Sequence, residues 1–86
     1  MRTNQTAEYY LLDLGQLLTE YSVEAKKNWL NSSGTDKQQF DSGYLMGLHR
    51  AITLMQQQAE SFGMSQADVG LAKINEEFFF DHRSEL

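Results

Sequence analysis

The sequence has no cysteine and no proline. Without cysteine it can form neither disulfide bridges nor thiolate metal sites, a composition that fits a reducing compartment. Without proline, glycine and clusters of polar residues must mark the ends of helices and strands. The chain also lacks a run of about 20 apolar residues, which a membrane span needs, and residues 1–6 show no signal-peptide core. We therefore expect a soluble, cytoplasmic protein.

Basic residues are scarce as well. Lysine and arginine number 7 against 12 acidic residues, which gives a formal net charge of −5. Proteins that bind nucleic acids normally concentrate positive charge on one surface, because that charge displaces counterions from phosphate. The composition therefore argues against direct nucleic-acid binding. It permits attraction to a basic protein partner, although the same charge is ordinary for the solubility of a small domain.

The 86 residues do contain apolar side chains at helical spacing. Hydrophobic residues make up 41% of the chain, which suits one globular domain and exceeds what disordered segments carry. Apolar residues recur every three or four positions from Ala7 to Ala25 and again from Phe40 to Phe62, which predicts two amphipathic helices. The short polar connection at residues 31–35 makes these helices antiparallel neighbours.

We predict an all-α fold: an antiparallel helical hairpin of two long helices, residues 6–30 and 36–62, closed by a shorter third helix at residues 65–81. Thr6 is the expected N-cap of the first helix, and Thr35 or Asp36 that of the second. Lys26 lies in the last turns of the first helix, where positive charge is favoured. Residues 82–86 are expected to fray.

The end of the second helix carries several termination signals. Gly63 suits the left-handed position that ends a helix, with Met64 as the accompanying hydrophobic contact. Ser65 and Asp68, three residues apart, resemble a capping box. Gly70 is expected to kink the third helix or to divide it into a short turn and a longer piece.

Gly43 and Gly47 lie one turn apart inside the second predicted helix. Each costs about 1 kcal/mol relative to alanine in that setting, so we expect close helix packing in return. The first interpretation is contact with residues 11–18 of the first helix, where Gly15 offers a matching gap. The alternative is a groove or the contact line of a homodimer.

The sequence gives little support for catalysis. His49 and His82 are the only histidines, and neither has a second ligand at helical spacing, so we interpret both as surface residues without a metal or other cofactor. Glu20 and Glu24 lie on a solvated part of the first helix, whereas carboxylate pairs do acid–base work inside pockets. We therefore predict a protein that is not an enzyme.

The stretch Glu76-Glu77-Phe78-Phe79-Phe80-Asp81 is the most suggestive surface. Three consecutive side chains on a helix span about 200° of its circumference, so they cannot all face one core. Phe78 continues the apolar face of Leu71 and Ile74. At least one of the next two rings is then exposed or buried against another chain, unless the helix lies across the hairpin and tucks two of them in.

Residues 43–63, Gly43-Tyr44-Leu45-Met46-Gly47 through Ser61-Phe62-Gly63, followed by Gly70-Leu71, resemble small helical proteins carried by bacteriophages and prophages. The resemblance extends over about residues 40–74. It implies a helical domain in the style of anti-CRISPR proteins and other phage inhibitors, which act by occupying a surface of a host complex. It implies no role for any single residue.

The leading hypothesis is a non-enzymatic protein–protein interaction module, specifically a phage-borne inhibitor that docks on a basic surface of a host defence complex. The acids would attract arginine and lysine, and the aromatic rings would supply apolar anchoring. The alternative is a structural or regulatory homodimer whose assembly is its function, because two long helices and one short one can leave an apolar face uncovered. The predicted partner-binding residues are Glu20, Glu24, Glu76, Glu77, Phe79, Phe80 and Asp81.

Overall fold

The computed structural model describes residues 3–81, with only the backbone described for the first two of these. It contains helix α1 (Thr3–Asn31), helix α2 (Gln38–Ser61), a 3-10 helix (Ala67–Val69) and helix α3 (Glu76–Phe80). Within this part of the chain there is no strand. The predicted all-α hairpin of two long helices is therefore confirmed. The fraying predicted for residues 82–86, and the interpretation of His82, fall outside the described residues.

The hairpin turn at residues 32–37 is held by its own polar groups. The Thr35 hydroxyl donates to the Ser32 carbonyl oxygen at 2.6 Å and accepts from the Lys37 amide at 3.3 Å. The Gly34 amide donates to the Gln38 side-chain oxygen at 3.1 Å. The helix boundaries differ slightly from prediction: α1 begins before Thr6, and α2 begins after Lys37, whose side chain makes no capping hydrogen bond.

The end of α2 has the predicted local structure. Gly63 has a positive φ of 72°, and the Met64 amide donates to the Ala59 carbonyl oxygen at 2.8 Å, as in a Schellman motif. The capping box is reciprocal: the Ser65 amide donates to Asp68 Oδ2 at 3.0 Å, and the Asp68 amide donates to Ser65 Oγ at 3.1 Å. Both local predictions are confirmed.

The third helix is not continuous. Gly70, at a φ of 72°, ends the 3-10 helix in the left-handed conformation, and the chain reaches α3 only at Glu76. Asn75 caps α3, because its side-chain oxygen accepts from the Phe78 amide at 3.2 Å. Of the two outcomes considered for Gly70, division is therefore correct, with two short helical pieces in place of residues 65–81.

Gly15 and Gly70 form the close backbone contact of the fold. A Cβ atom added to Gly15 would overlap the Val69 carbonyl group and lie 2.7 Å from its carbon. A Cβ added to Gly70 would overlap the Leu12 carbonyl oxygen. The C-terminal segment, which we define as residues 64–81, thus crosses α1 with backbone against backbone.

The predicted contact of Gly43 and Gly47 with α1 is wrong. Both residues are exposed, and a Cβ atom added to either would meet no other atom within 4 Å. Gly15 does form a gap, but the C-terminal segment fills it rather than α2. The two glycines of α2 therefore gain no packing within the chain.

The core lies between the hairpin and the C-terminal segment. Two glutamine side chains form hydrogen bonds between α2 and the C-terminal segment. Gln56 Nε2 donates to the Ile74 carbonyl oxygen at 2.9 Å, and Gln66 Nε2 donates to the Gln56 carbonyl oxygen at 3.1 Å.

No described helix combines the length and hydropathy that a membrane span requires. The buried apolar side chains are Ala25, Leu45, Ile52, Ala59, Val69, Leu71, Ile74, Phe78 and Phe79.

Candidate interaction surfaces

The C-terminal segment covers only one side of the hairpin. On α1 it meets Gly15, and on α2 it meets His49 and Gln56. At 100° per residue, a second set of positions on each helix points to the opposite side. We call this second set the open face; its members are Tyr10, Leu14, Leu17 and Tyr21 of α1, and Phe40, Gly43, Tyr44, Gly47, Ala51, Leu54, Gln58 and Phe62 at α2.

Large apolar side chains on the open face are exposed. Phe62 is 77% exposed and Phe40 is 71% exposed, and Tyr10, Tyr21, Tyr44 and Leu54 are each at least half exposed. The rings of Phe40 and Tyr44 are stacked, with centroids 6.4 Å apart and planes 7° from parallel. These rings already lie in a favourable offset arrangement and need little ordering before they contact another surface.

The open face is also uncharged. Every member defined above is apolar, small or, in the case of Gln58, a neutral amide. Among the nearest exposed charged positions on the two helices are Asp13, Glu20 and Glu24 on α1, each within four residues of a member of the face, and Arg50 on α2, one turn beyond Gly47. They lie beside the face and not within it. At one end Leu54 and Phe62 join Leu11 and Val69 in lining an apolar groove. Depletion of charge around exposed aromatics is typical of the core of a protein interface.

The acidic–aromatic end, which we define as residues 76–81, only partly matches its prediction. Phe80 is 62% exposed, but Phe79 is 2% exposed and belongs to the core. The ring of Phe79 packs at 5.3 Å from that of Phe78, nearly perpendicular to it. Phe79 is therefore removed from the set of partner-binding residues, because α3 lies across the hairpin and tucks two of its three rings in.

His49 is not the plain surface residue that its sequence context indicated. It is half-buried, with its ring centroid 4.8 Å from that of Phe79 and 5.3 Å from that of Phe80. Its Nε2 atom lies 3.6 Å from a carboxylate oxygen of Glu76. His49 thus connects α2 to α3, and within residues 5–81 no cluster of three or more candidate ligands could hold a metal ion around it.

The carboxylate of Asp81 is partly exposed and also contacts a buried lysine. Its carboxylate lies 2.6 Å from the ammonium of Lys26, whose side chain is 0% exposed. The same ammonium donates to the Phe78 carbonyl oxygen and lies 4.4 Å from the centroid of the Phe78 ring. Asp81 was predicted to bind a partner, yet its ion pair fixes α3 on α1. Lys26 was interpreted as a helix-end charge, and it is instead a buried anchor.

The predicted acids do not form one surface. Glu76 and Glu77 are exposed on α3. Glu20 and Glu24 are exposed on α1 and together line a shallow depression with Lys27, and Glu20 also lines a second one with Gly70 and Lys73. The structure therefore brings Glu76, Glu77 and Phe80 together and leaves Glu20 and Glu24 elsewhere.

Two features were not assigned from the sequence. An uncovered apolar face and a homodimer contact at Gly43 and Gly47 were considered as alternatives, but the residues of the open face were assigned to apolar stripes facing the core. The signal was the width of those stripes, since Tyr10, Leu14 and Tyr21 lie too far around α1 from Gly15 to share one buried side. The burial of Lys26 left no signal in its neighbourhood, because its partners are 52 and 55 residues away.

The fold and its surfaces define a small helical-hairpin protein with one covered side and one open apolar side. Comparison with protein-family models, curated proteins and solved structures finds no match to this chain. The resemblance of residues 43–63 to phage proteins, and the inhibitory role it implies, stay predictions.

Proposed function

We propose that this chain is a non-enzymatic protein–protein interaction module that binds through its open face. The observation that supports this most is the size and chemistry of that face. Five aromatic and two leucine side chains stand exposed on it, and at about 150–250 Å² for each fully buried aromatic they present on the order of 800 Å², the share of one partner in a standard interface.

A surface of this kind is costly to leave in water. Monomeric proteins rarely expose contiguous apolar patches larger than a few hundred Å², and burial of apolar area stabilises by about 25 cal/mol per Å² before the costs of association are subtracted. The stacked Phe40 and Tyr44 at one end, and Phe62 beside its groove at the other, are suited to act as anchors.

Photo-crosslinking tests the proposal. Benzoylphenylalanine in place of Tyr44, on the open face, is expected to give covalent adducts with a protein chain in the cells from which the sequence comes. The matched control is the same replacement at Tyr9, which is 62% exposed but lies outside the open face. Equal yields at the two positions, or no adduct at Tyr44, would contradict binding through this face.

The acidic–aromatic end supports a narrower, second candidate: docking on a basic surface of a host defence complex, as a phage-borne inhibitor does. The favouring observation is that Phe80 is exposed beside the carboxylate of Glu76, which is itself 72% exposed. Such a site combines an apolar anchor with charges that steer a basic partner.

Charge reversal tests this second candidate. We expect Glu76→Lys with Glu77→Lys to abolish crosslinking from benzoylphenylalanine at position 80 while the far-UV circular dichroism spectrum is retained, because both acids are exposed. Glu8→Lys with Glu60→Lys is the control, since these acids are also exposed and the net charge changes equally. Loss of crosslinking with both pairs of substitutions would indicate a general effect of net charge. Retention of crosslinking with both pairs would contradict binding through Glu76 and Glu77.

A further inference from the structure

We infer that the partner of the open face is a second copy of this chain, with α2 of one copy lying antiparallel across α2 of the other at Gly47. The inference rests on the proposed function and names its partner. It draws on the residue pattern along α2, on the unused space beside its glycines and on the charge of the chain.

Four residues of the open face on α2 are arranged symmetrically about Gly47. Four residues before and after it are Gly43 and Ala51, and seven residues before and after it are Phe40 and Leu54. Offsets of four and seven residues stay within about 40° of the same side of a helix. At these four positions, two antiparallel copies that cross at Gly47 therefore place small residues opposite small ones and large residues opposite large ones, while Tyr44 lies opposite Arg50 of the second copy.

Such self-complementarity is what a two-fold interface requires. In a dimer with two-fold symmetry the same patch serves on both copies, so residue i contacts residue j while j contacts i. Here Gly43 would lie across from Ala51 of the second copy, and Phe40 across from its Leu54. An unrelated partner would place no such condition on the order of residues in α2.

The two exposed glycines are explained by close approach. Glycine disfavours a helix interior, and around Gly43 and Gly47 nothing within the chain makes use of the missing side chains. A neighbouring helix can use that space, because small residues allow two helix axes to come nearer than the usual separation of about 8–10 Å.

Charge favours a second copy over a basic partner at this face. Each chain carries a net charge of −5, so association of two copies is favoured only where the contact brings no acids together. The α2 part of the open face meets that condition, since Arg50 is the one exposed Asp, Glu, Lys or Arg between residues 43 and 51, and the exposed acids Glu76 and Glu77 belong to α3 on the covered side. A basic helix or peptide would instead be favoured by acids beside the apolar residues.

Sedimentation gives the first test. The wild-type chain is expected to reach twice its mass of 9.9 kDa at micromolar to millimolar concentrations. Gly47→Gln should weaken the dimer at least about tenfold while leaving the monomer helical, because Gly47 is exposed and a Cβ atom added there meets no atom within 4 Å. Ala72→Gln, exposed on the covered side, should leave the dimer unchanged. A wild-type chain that stays monomeric throughout would overturn the inference.

Cysteine crosslinking tests the register, since the native chain has no cysteine. Gly47→Cys should form a disulfide-linked dimer on mild oxidation, because a bridge needs Cα atoms about 4–7 Å apart. A mixture of Gly43→Cys and Ala51→Cys chains should give mainly the disulfide between the two different variants. Ala72→Cys should give little disulfide-linked dimer. A dimer by sedimentation that gives no bridge at position 47 would overturn the antiparallel arrangement.

The outcomes separate this inference from the proposed function. A monomer whose position 44 crosslinks to a different protein would contradict the second copy and leave the interaction module standing. A monomer that gives no adduct from position 44 would contradict both. Self-adducts from position 44, together with the bridge at position 47, would support both.

Discussion

Gly15→Ala is expected to lower the free energy of unfolding by at least about 3 kcal/mol, at the upper end of what an added methyl group costs in a packed core. The reason is that the new Cβ atom would overlap the Val69 carbonyl group and lie 3.0 Å from the carbonyl carbon of Gly70. These are backbone atoms, which cannot rotate away as a side chain can. Urea denaturation followed by circular dichroism measures the loss.

Gly43→Ala provides the matched control for this prediction. The chemical change is the same and the position is again inside a long helix, but nothing lies within 4 Å of the new atom. At low protein concentration, where α2 faces solvent, this variant is expected to gain up to about 1 kcal/mol from helix propensity. Similar losses in both variants would contradict the assignment of the close contact to Gly15 and Gly70.

The two long helices and the residues that end the second one could be predicted, because they depend on local sequence. Apolar spacing is a property of each helix alone, and the turn after α2 is set by consecutive residues: Gly63 at positive φ, then the reciprocal pair Ser65 and Asp68. The burial of Phe78 with Leu71 and Ile74 was likewise foreseen from their common apolar character. Asn75 followed by two glutamates was a cap signal of the same local kind, and it was overlooked.

The glycine contact could not be predicted, because it depends on the path of the C-terminal segment. Sequence spacing shows that a helix has a gap, but it does not show which neighbour enters it. Gly43 and Gly47 have the more suggestive spacing, yet the gap that is filled is the one at Gly15, by the backbone of residues 69 and 70. A left-handed turn at Gly70 directs the backbone there, and this turn also prevents a continuous third helix.

The candidate surface was only half predictable for the same reason. Helical geometry requires that three consecutive phenylalanines face different directions, so exposure of one ring was expected. That Phe80 is the exposed one follows from how α3 docks on the hairpin. The docking depends in turn on Lys26, whose burial no neighbouring residue indicates.

Asp81→Ala is expected to lower the free energy of unfolding by about 2–3 kcal/mol, because it leaves the ammonium of Lys26 buried with its charge incompletely compensated. The Phe78 carbonyl oxygen and ring would remain beside the ammonium, and the carboxylate is partly exposed at 32%, so the loss stays below that of a fully buried pair. Thermal or urea denaturation provides the measurement.

Lys26→Met is expected to lower the free energy of unfolding by less than Asp81→Ala does, by about 1–2 kcal/mol. Methionine fills much of the same volume, and an apolar replacement removes the buried charge itself rather than stranding it. The remaining loss of stability comes from the Phe78 carbonyl oxygen, which no longer accepts a hydrogen bond from the ammonium. Lys27→Met, a change of the neighbouring exposed lysine, should stay within about 0.5 kcal/mol of wild type.

The double variant Lys26→Met with Asp81→Ala decides whether the two residues act as a pair. If the ion pair holds α3 on α1, the double variant is more stable than the sum of the single losses predicts, by about 1 kcal/mol or more, because no buried charge is left to strand. Strictly additive losses would mean that Asp81 stabilises the fold through groups other than Lys26. The attachment of the acidic–aromatic end would then have to come from the burial of Phe78 and Phe79 alone.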